Sequence, residues 1–105
     1  MMQPLRSRIA AHTHNVKAIV VDDANGYFYT GSTDGDIKAW SMQTFECEYV
    51  FHNVHQKNTF LRPSFDRNPV STYGVMDLVV DGQYLYSCGA DGTLKRQQLL
   101  SSANR

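Results

Sequence analysis

YFYTGSTDGDIKAW, residues 27–40, and YLYSCGADGTLKRQ, residues 84–97, are one pattern written twice. Each copy opens on an aromatic, strand-prone run. It then passes through small residues to Asp-Gly (Asp34-Gly35 and Asp91-Gly92) and closes on a second strand-prone run. Asp-Gly between two such runs is turn chemistry, because glycine supplies the positive φ that a tight hairpin needs. A repeated hairpin fixes the architecture before any single side chain is interpreted. The copies lie 57 residues apart, counted from Tyr27 to Tyr84. Without the irregular stretch between them the period is roughly 40, the spacing of four-stranded propeller blades.

Outward from the first copy, Val16–Val21 reads as a strand that ends at Asp22-Asp23-Ala24-Asn25-Gly26. Tyr27–Ser32, Ile37–Ser41 and Cys47–Phe51 continue it as a four-stranded meander. In the second copy Val75–Val80, Tyr84–Cys88 and Thr93–Gln97 repeat the order, with Gln97-Gln98-Leu99-Leu100 read as the start of a fourth strand. The turn glycines are Gly26, Gly35, Gly82 and Gly92. Leu5, Ser7 and Ile9 alternate with Arg6 and Arg8, the pattern of a strand with one solvated face.

The expected fold is therefore all-β: two four-stranded antiparallel blades forming an incomplete segment of a larger β-propeller. Residues 1–10 supply a strand completing a preceding blade, 11–51 the first blade, 52–73 a long inter-blade loop, 74–100 a degenerate second blade and 101–105 a tail. Propellers close with about four to eight blades. Two blades alone leave open edges. Remaining blades upstream in a longer product are the preferred resolution, ahead of a head-to-tail ring of copies or a truncated product.

Composition narrows the function. The 105 residues suffice for one domain, and a 42% hydrophobic share is ordinary for a globular chain. Ten Lys and Arg balance ten Asp and Glu, so no long-range field draws in nucleic acid or acidic lipid. Cys47 and Cys88 lie in apolar runs, which predicts buried thiols and a reducing compartment. The longest apolar run, Ala18–Val21, is far short of the roughly 20 residues that span a bilayer. The N-terminus shows no secretory signal. Arg6, Arg8 and Lys17 without an acid weakly suggest a transit peptide, but a strand explains them better.

His12, Thr30, Asp34 and Trp40 carry the most information. A hairpin would gather them at one edge. There an imidazole can bridge carboxylate and hydroxyl while the indole N–H donates back to the hydroxyl, satisfying polar groups and fixing the loop to the turn. With Gly35 they match the WD-repeat pattern and its structural His–Ser/Thr–Asp–Trp tetrad, so the chain resembles the WD-repeat β-propellers. Ala11-His12 stands for the usual Gly-His, and Trp40-Ser41 for Trp-Asp. In the second copy Ser87 and Asp91 form a degenerate tetrad, with Gln97 in place of tryptophan. Its upstream alignment falls near Asn68-Pro69, without a histidine, so Asp91 and Gly92 alone are expected to hold that turn.

A narrower resemblance also exists. Ser87-Cys88-Gly89-Ala90-Asp91-Gly92-Thr93-Leu94-Lys95, with Gly74-Val75-Met76 before it, looks like the last blade of the DmX-like proteins, also called rabconnectin alpha chains. Thr30-Gly31-Ser32 through Asp36-Ile37-Lys38 fits the preceding blade. The resemblance implies a C-terminal piece of a long, non-catalytic scaffold serving assembly of the vacuolar proton ATPase and vesicle or endosome acidification. It implies as partners a rabconnectin beta-type WD-repeat subunit and vacuolar proton ATPase subunits. The implied location is the cytoplasm, or the periphery of endosomal or synaptic-vesicle membranes. The alternative is a substrate-recognition propeller piece of a ubiquitin ligase or another multiprotein complex.

Each constellation also has a plain reading. His12, Thr30 and Asp34 invite a hydrolytic one, but a nucleophile must be exposed beside an oxyanion hole, and Trp40 would cover this set. No catalytic residue is expected. Cys47, His52 and His55 form C-x4-H-x2-H without a fourth ligand, which favours one buried cysteine and two loop histidines over a metal site. Asp34-Gly35-Asp36 is explained by its turn. No metal, cofactor, nucleic-acid partner or membrane insertion is expected. Aromatic residues on loops are typical anchors for partners, which makes Phe60, Arg62 and Phe65 the candidate contacts.

Overall fold

The computed structural model describes residues 5–55 and 74–99. They form β1 (Val16–Asp22), β2 (Tyr27–Ser32), β3 (Ile37–Ser41), β4 (Cys47–Phe51), β5 (Val75–Asp81), β6 (Tyr84–Gly89) and β7 (Leu94–Gln98), with no helix among them. Strands β1 to β4 make a four-stranded sheet in chain order, and β5 to β7 a three-stranded one, all antiparallel.

The second sheet has three described strands where four were expected. Gln97 and Gln98 still pair with Leu85 and Tyr84, so they finish β7 and do not begin a new strand. Leu99 then turns inward, is buried, and donates its N–H to the Gln83 carbonyl. Leu5–Ile9, expected as a strand, has no strand pairing, and Leu5 is 96% exposed. A strand needs a partner to hydrogen-bond, and no described strand lies alongside it. Phe60, Arg62 and Phe65 fall outside the described residues.

The hairpins follow the turn chemistry. Gly35 (φ 90°) and Gly92 (φ 84°) sit in the left-handed region that an L side chain rarely adopts. Both sheets also share a register shift near the start of the first strand, between Val16 and Ala18 and between Val75 and Asp77.

Alternation gives each sheet two faces. We call the face carrying Thr30 or Ser87 the front, and the opposite face the back. The back of the first sheet (Ala18, Val20, Tyr27, Tyr29, Ile37, Ala39) meets the front of the second (Val75, Leu78, Leu85) in one buried cluster that Val54 and Leu99 extend. Burying side chains such as Ile37 or Leu85 contributes about 1.5–3 kcal/mol each. The sheets come close together at Gly31, where an added Cβ would run into the Val75 side chain. The blades are stacked face to back, and glycine provides the fit.

Candidate functional site

The tetrad residues converge because His12, Thr30 and Asp34 gather near the β2–β3 turn and Trp40, further along β3, reaches back to Thr30. Thr30 is near the end of β2 and pairs with Lys38 on β3, while Asp34 lies in the β2–β3 turn. Trp40, two residues beyond Lys38, shares the front face with Thr30. His12 precedes β1. Its Nδ1 lies 3.0 Å from Asp34 Oδ2 and its Nε2 2.7 Å from Thr30 Oγ1. The Trp40 indole N–H donates to the same Thr30 oxygen over 2.9 Å. One tautomer satisfies every group: Nδ1–H donates to Asp34, and Nε2 accepts the hydroxyl proton. Thr13 N–H also donates to Asp34, and Lys38 Nζ donates to the Ala11 carbonyl, so the loop is tied on both sides of the imidazole.

Phe28 stacks on Trp40, with ring centroids 6.1 Å apart and planes 11° from parallel, and Phe45 packs on Phe28. Thr30 is buried beneath. A hydroxyl whose oxygen already accepts an indole proton, in a buried residue, offers no approach to a substrate carbon. Burial pushes the Asp34 carboxyl up, but the Asp36 N–H, the facing His12 imidazole and the Thr13 N–H outweigh it and hold it below its usual value.

In the second sheet the expected absence of a histidine is corrected. His55, fully buried, brings Nε2 to 2.8 Å from Ser87 Oγ and Nδ1 to 3.0 Å from Asp91 Oδ1 and 3.1 Å from Thr93 Oγ1. Thr93 donates both its hydroxyl and its N–H to Asp91. These bonds, with those of His55, overcome the upward push of burial and set the Asp91 carboxyl well below the ordinary range. Gly89 makes room for the ring, since any Cβ there would strike the imidazole. The His55 N–H donates to the Gly35 carbonyl, and Asn53 N–H to Asp36 Oδ1. The backbone at His55 thus belongs to the first blade and its ring to the second. Among the described residues no buried side-chain nitrogen or oxygen lacks a partner.

The other candidates separate. Cys47 is exposed, contrary to the buried thiol expected, because β4 is the edge of its sheet; Cys88 is half-buried. His52 stands 79% exposed, 3.7 Å from Asp36, while His55 is committed to Ser87 and Asp91. Among the described residues no group of His, Cys, Asp and Glu could hold a metal ion, and no helix is long and apolar enough to cross a membrane.

Residues 2–41 and 67–95 match the WD domain, G-beta repeat family. The chain is similar to DmX-like protein 1 of Mus musculus and of Homo sapiens, 37% identical over 95 residues in each case. That alignment takes in 90% of this chain but 3% of the length of those relatives. Among solved structures, the computationally designed proteins Ika4 and Ika8 superpose with a TM-score of 0.63 at 20% and 21% identity. Each superposition covers 87% of this chain, and 45% and 23% of those chains.

Proposed function

The chain belongs to the WD domain, G-beta repeat family, and from that premise we propose that it is a non-catalytic scaffold segment whose polar tetrads are structural fastenings. One observation carries this reading. Both imidazoles are spent on joining a pre-blade loop to a hairpin turn, and the hydroxyls that their Nε2 atoms reach, those of Thr30 and Ser87, belong to buried residues. Binding in repeat-built frames lies in loops and open faces, not in the fastenings.

The finer reading is service to the vacuolar proton ATPase, through contacts with its subunits and with a rabconnectin beta-type partner at endosomal or vesicle membranes. The similarity to DmX-like protein 1 over 90% of the chain supports it. Phe60, Arg62 and Phe65 are the proposed contact residues. The test is luminal pH in cells whose full-length protein carries Phe60→Ala, Arg62→Ala and Phe65→Ala together, read with a ratiometric dye. Impaired acidification at unchanged protein level is expected. Normal acidification with normal recovery of the ATPase subunits on pull-down would refute the finer reading.

A further inference from the structure

The covered back of the first sheet and the bare back of the second are the same surface in two states. Their registers align row by row. Ala18, Gly31 and Ile37 correspond to Asp77, Cys88 and Leu94, and Val20, Tyr29 and Ala39 to Val79, Tyr86 and Arg96. Ile37 is 0% exposed and Leu94 83%; Tyr29 is 3% exposed and Tyr86 40%. The bare back forms a groove of about 310 Å³ whose lining includes Asp77, Val79, Tyr86, Cys88 and Leu94. The front of the first sheet is bare in the same sense, with Ile19 65% exposed where its counterpart Leu78 is 5% exposed.

These two bare faces do not fit each other. Stacking on the first sheet depends on Gly31, which admits Val75. Its counterpart is Cys88, and the residue a second copy would bring there is Val16, the counterpart of Val75. A thiol and a β-branched side chain would compete for space that one of them fills in the covered interface. Asp77 and Arg96 replace Ala18 and Ala39, whereas the first sheet's front offers Ile19, Val21 and Phe28, and its lysine, Lys38, is already committed to the Ala11 carbonyl. Charges buried without partners are strongly disfavoured.

We infer that the back of the second sheet is a selective docking face. It rejects another copy of this chain and accepts a different β-sheet. That sheet carries glycine or alanine opposite Cys88, a carboxylate facing Arg96 and a basic group facing Asp77. The inference deepens the scaffold reading and rests on it.

The test is sedimentation of the purified chain. The wild type remains monomeric across concentrations up to roughly 300 μM, whereas D77A/C88G/R96A, which recreates the covered back, self-associates at least ~10-fold more tightly. Adding Ile19→Lys on the front reverses that association. The inference is overturned by wild-type self-association that Ile19→Lys abolishes, since a second copy is then the occupant. It is equally overturned by a triple variant that keeps its β-sheet circular dichroism and stays monomeric. Gly31→Cys supplies a check without association: it must lower the unfolding midpoint, and a midpoint equal to wild type refutes the exclusion by Cys88. None of these readouts involves acidification, so failure here is distinct from failure of the proposed service to the vacuolar proton ATPase.

Discussion

Replacing His55 with alanine removes a side chain that ties the first blade's end to the second blade's hairpin. The imidazole is fully buried and touches Ser87, Asp91 and Thr93. Asp91 keeps its Thr93 partners after the change, but the Ser87 hydroxyl, in a buried residue, has no other hydrogen bond described. Leaving it unpaired costs about 1–3 kcal/mol. The space left by the ring beside Gly89 adds a cavity penalty, so a total of ~3–4 kcal/mol is expected, within the range of large-to-small core changes. That is a large part of the ~5–15 kcal/mol that holds a domain folded. It corresponds to a melting temperature lower by roughly 12–32 °C, at ~4–8 °C per kcal/mol. Urea unfolding should be followed by far-ultraviolet circular dichroism and by fluorescence of Trp40, the sole tryptophan. Trp40 lies in the first sheet, so coincident curves show that both blades unfold as one. His52→Ala, at an exposed position, should stay within about 0.5 kcal/mol of wild type. A His55→Ala loss equally small would refute the assignment of His55 as the fastening of the second blade.

Acid should weaken the fold through Asp34 and Asp91. Their folded-state pKa values lie below the ordinary 3.8, so their contribution is present above that pH and fades as pH falls through the depressed values. A pH series of urea midpoints should show this fall flattened in Asp34→Asn. At the alkaline end, burial, aided by Asp22 and Tyr49, raises the Tyr29 phenol from 10.0 to about 12. Its contribution is complete below pH 10 and lost as pH climbs towards 12, and Tyr29→Phe should abolish that loss in the same series. Gly31→Ala sets a methyl group against Val75 and should cost ~1–3 kcal/mol in urea unfolding. Native-state thiol labelling should modify Cys47 before Cys88, with mass spectrometry of the peptides as the readout.

The strands were legible because each is short and strand-prone, and a glycine turn bounds all of them except Cys47–Phe51, which Phe45 and Asn53 flank at positive φ. Tyr27–Ser32, Ile37–Ser41 and Cys47–Phe51 fall where the pattern puts them. His55 escaped because the first blade teaches the wrong spacing. His12 lies 18 residues before Thr30, whereas His55 lies 32 before Ser87, with residues 56–73 intervening. Counting back from Ser87 lands on Asn68-Pro69, but counting forward from the end of β4 at Phe51 would have reached Val54-His55. Exposure of Cys47 was illegible for another reason. An apolar run announces a strand, but not whether a further strand lies beyond it. The second blade's fourth strand was misread because glutamines at 97 and 98 are as compatible with the end of one strand as with the start of another.

Seating His55 ahead of residues 56–73 separates the length of that stretch from the integrity of the blade. One end is anchored by the His55 imidazole and by the His55 backbone N–H, which donates to the Gly35 carbonyl. The other is anchored at Gly74, whose carbonyl accepts the Ala90 N–H and whose backbone lies against Thr33. With both ends pinned, lengthening the intervening chain changes only the closure entropy, about 0.6 kcal/mol for each doubling. A lineage could extend this stretch, and an experimenter could splice a fluorescent reporter into it clear of Phe60, Arg62 and Phe65, while the blades on either side stayed as they are.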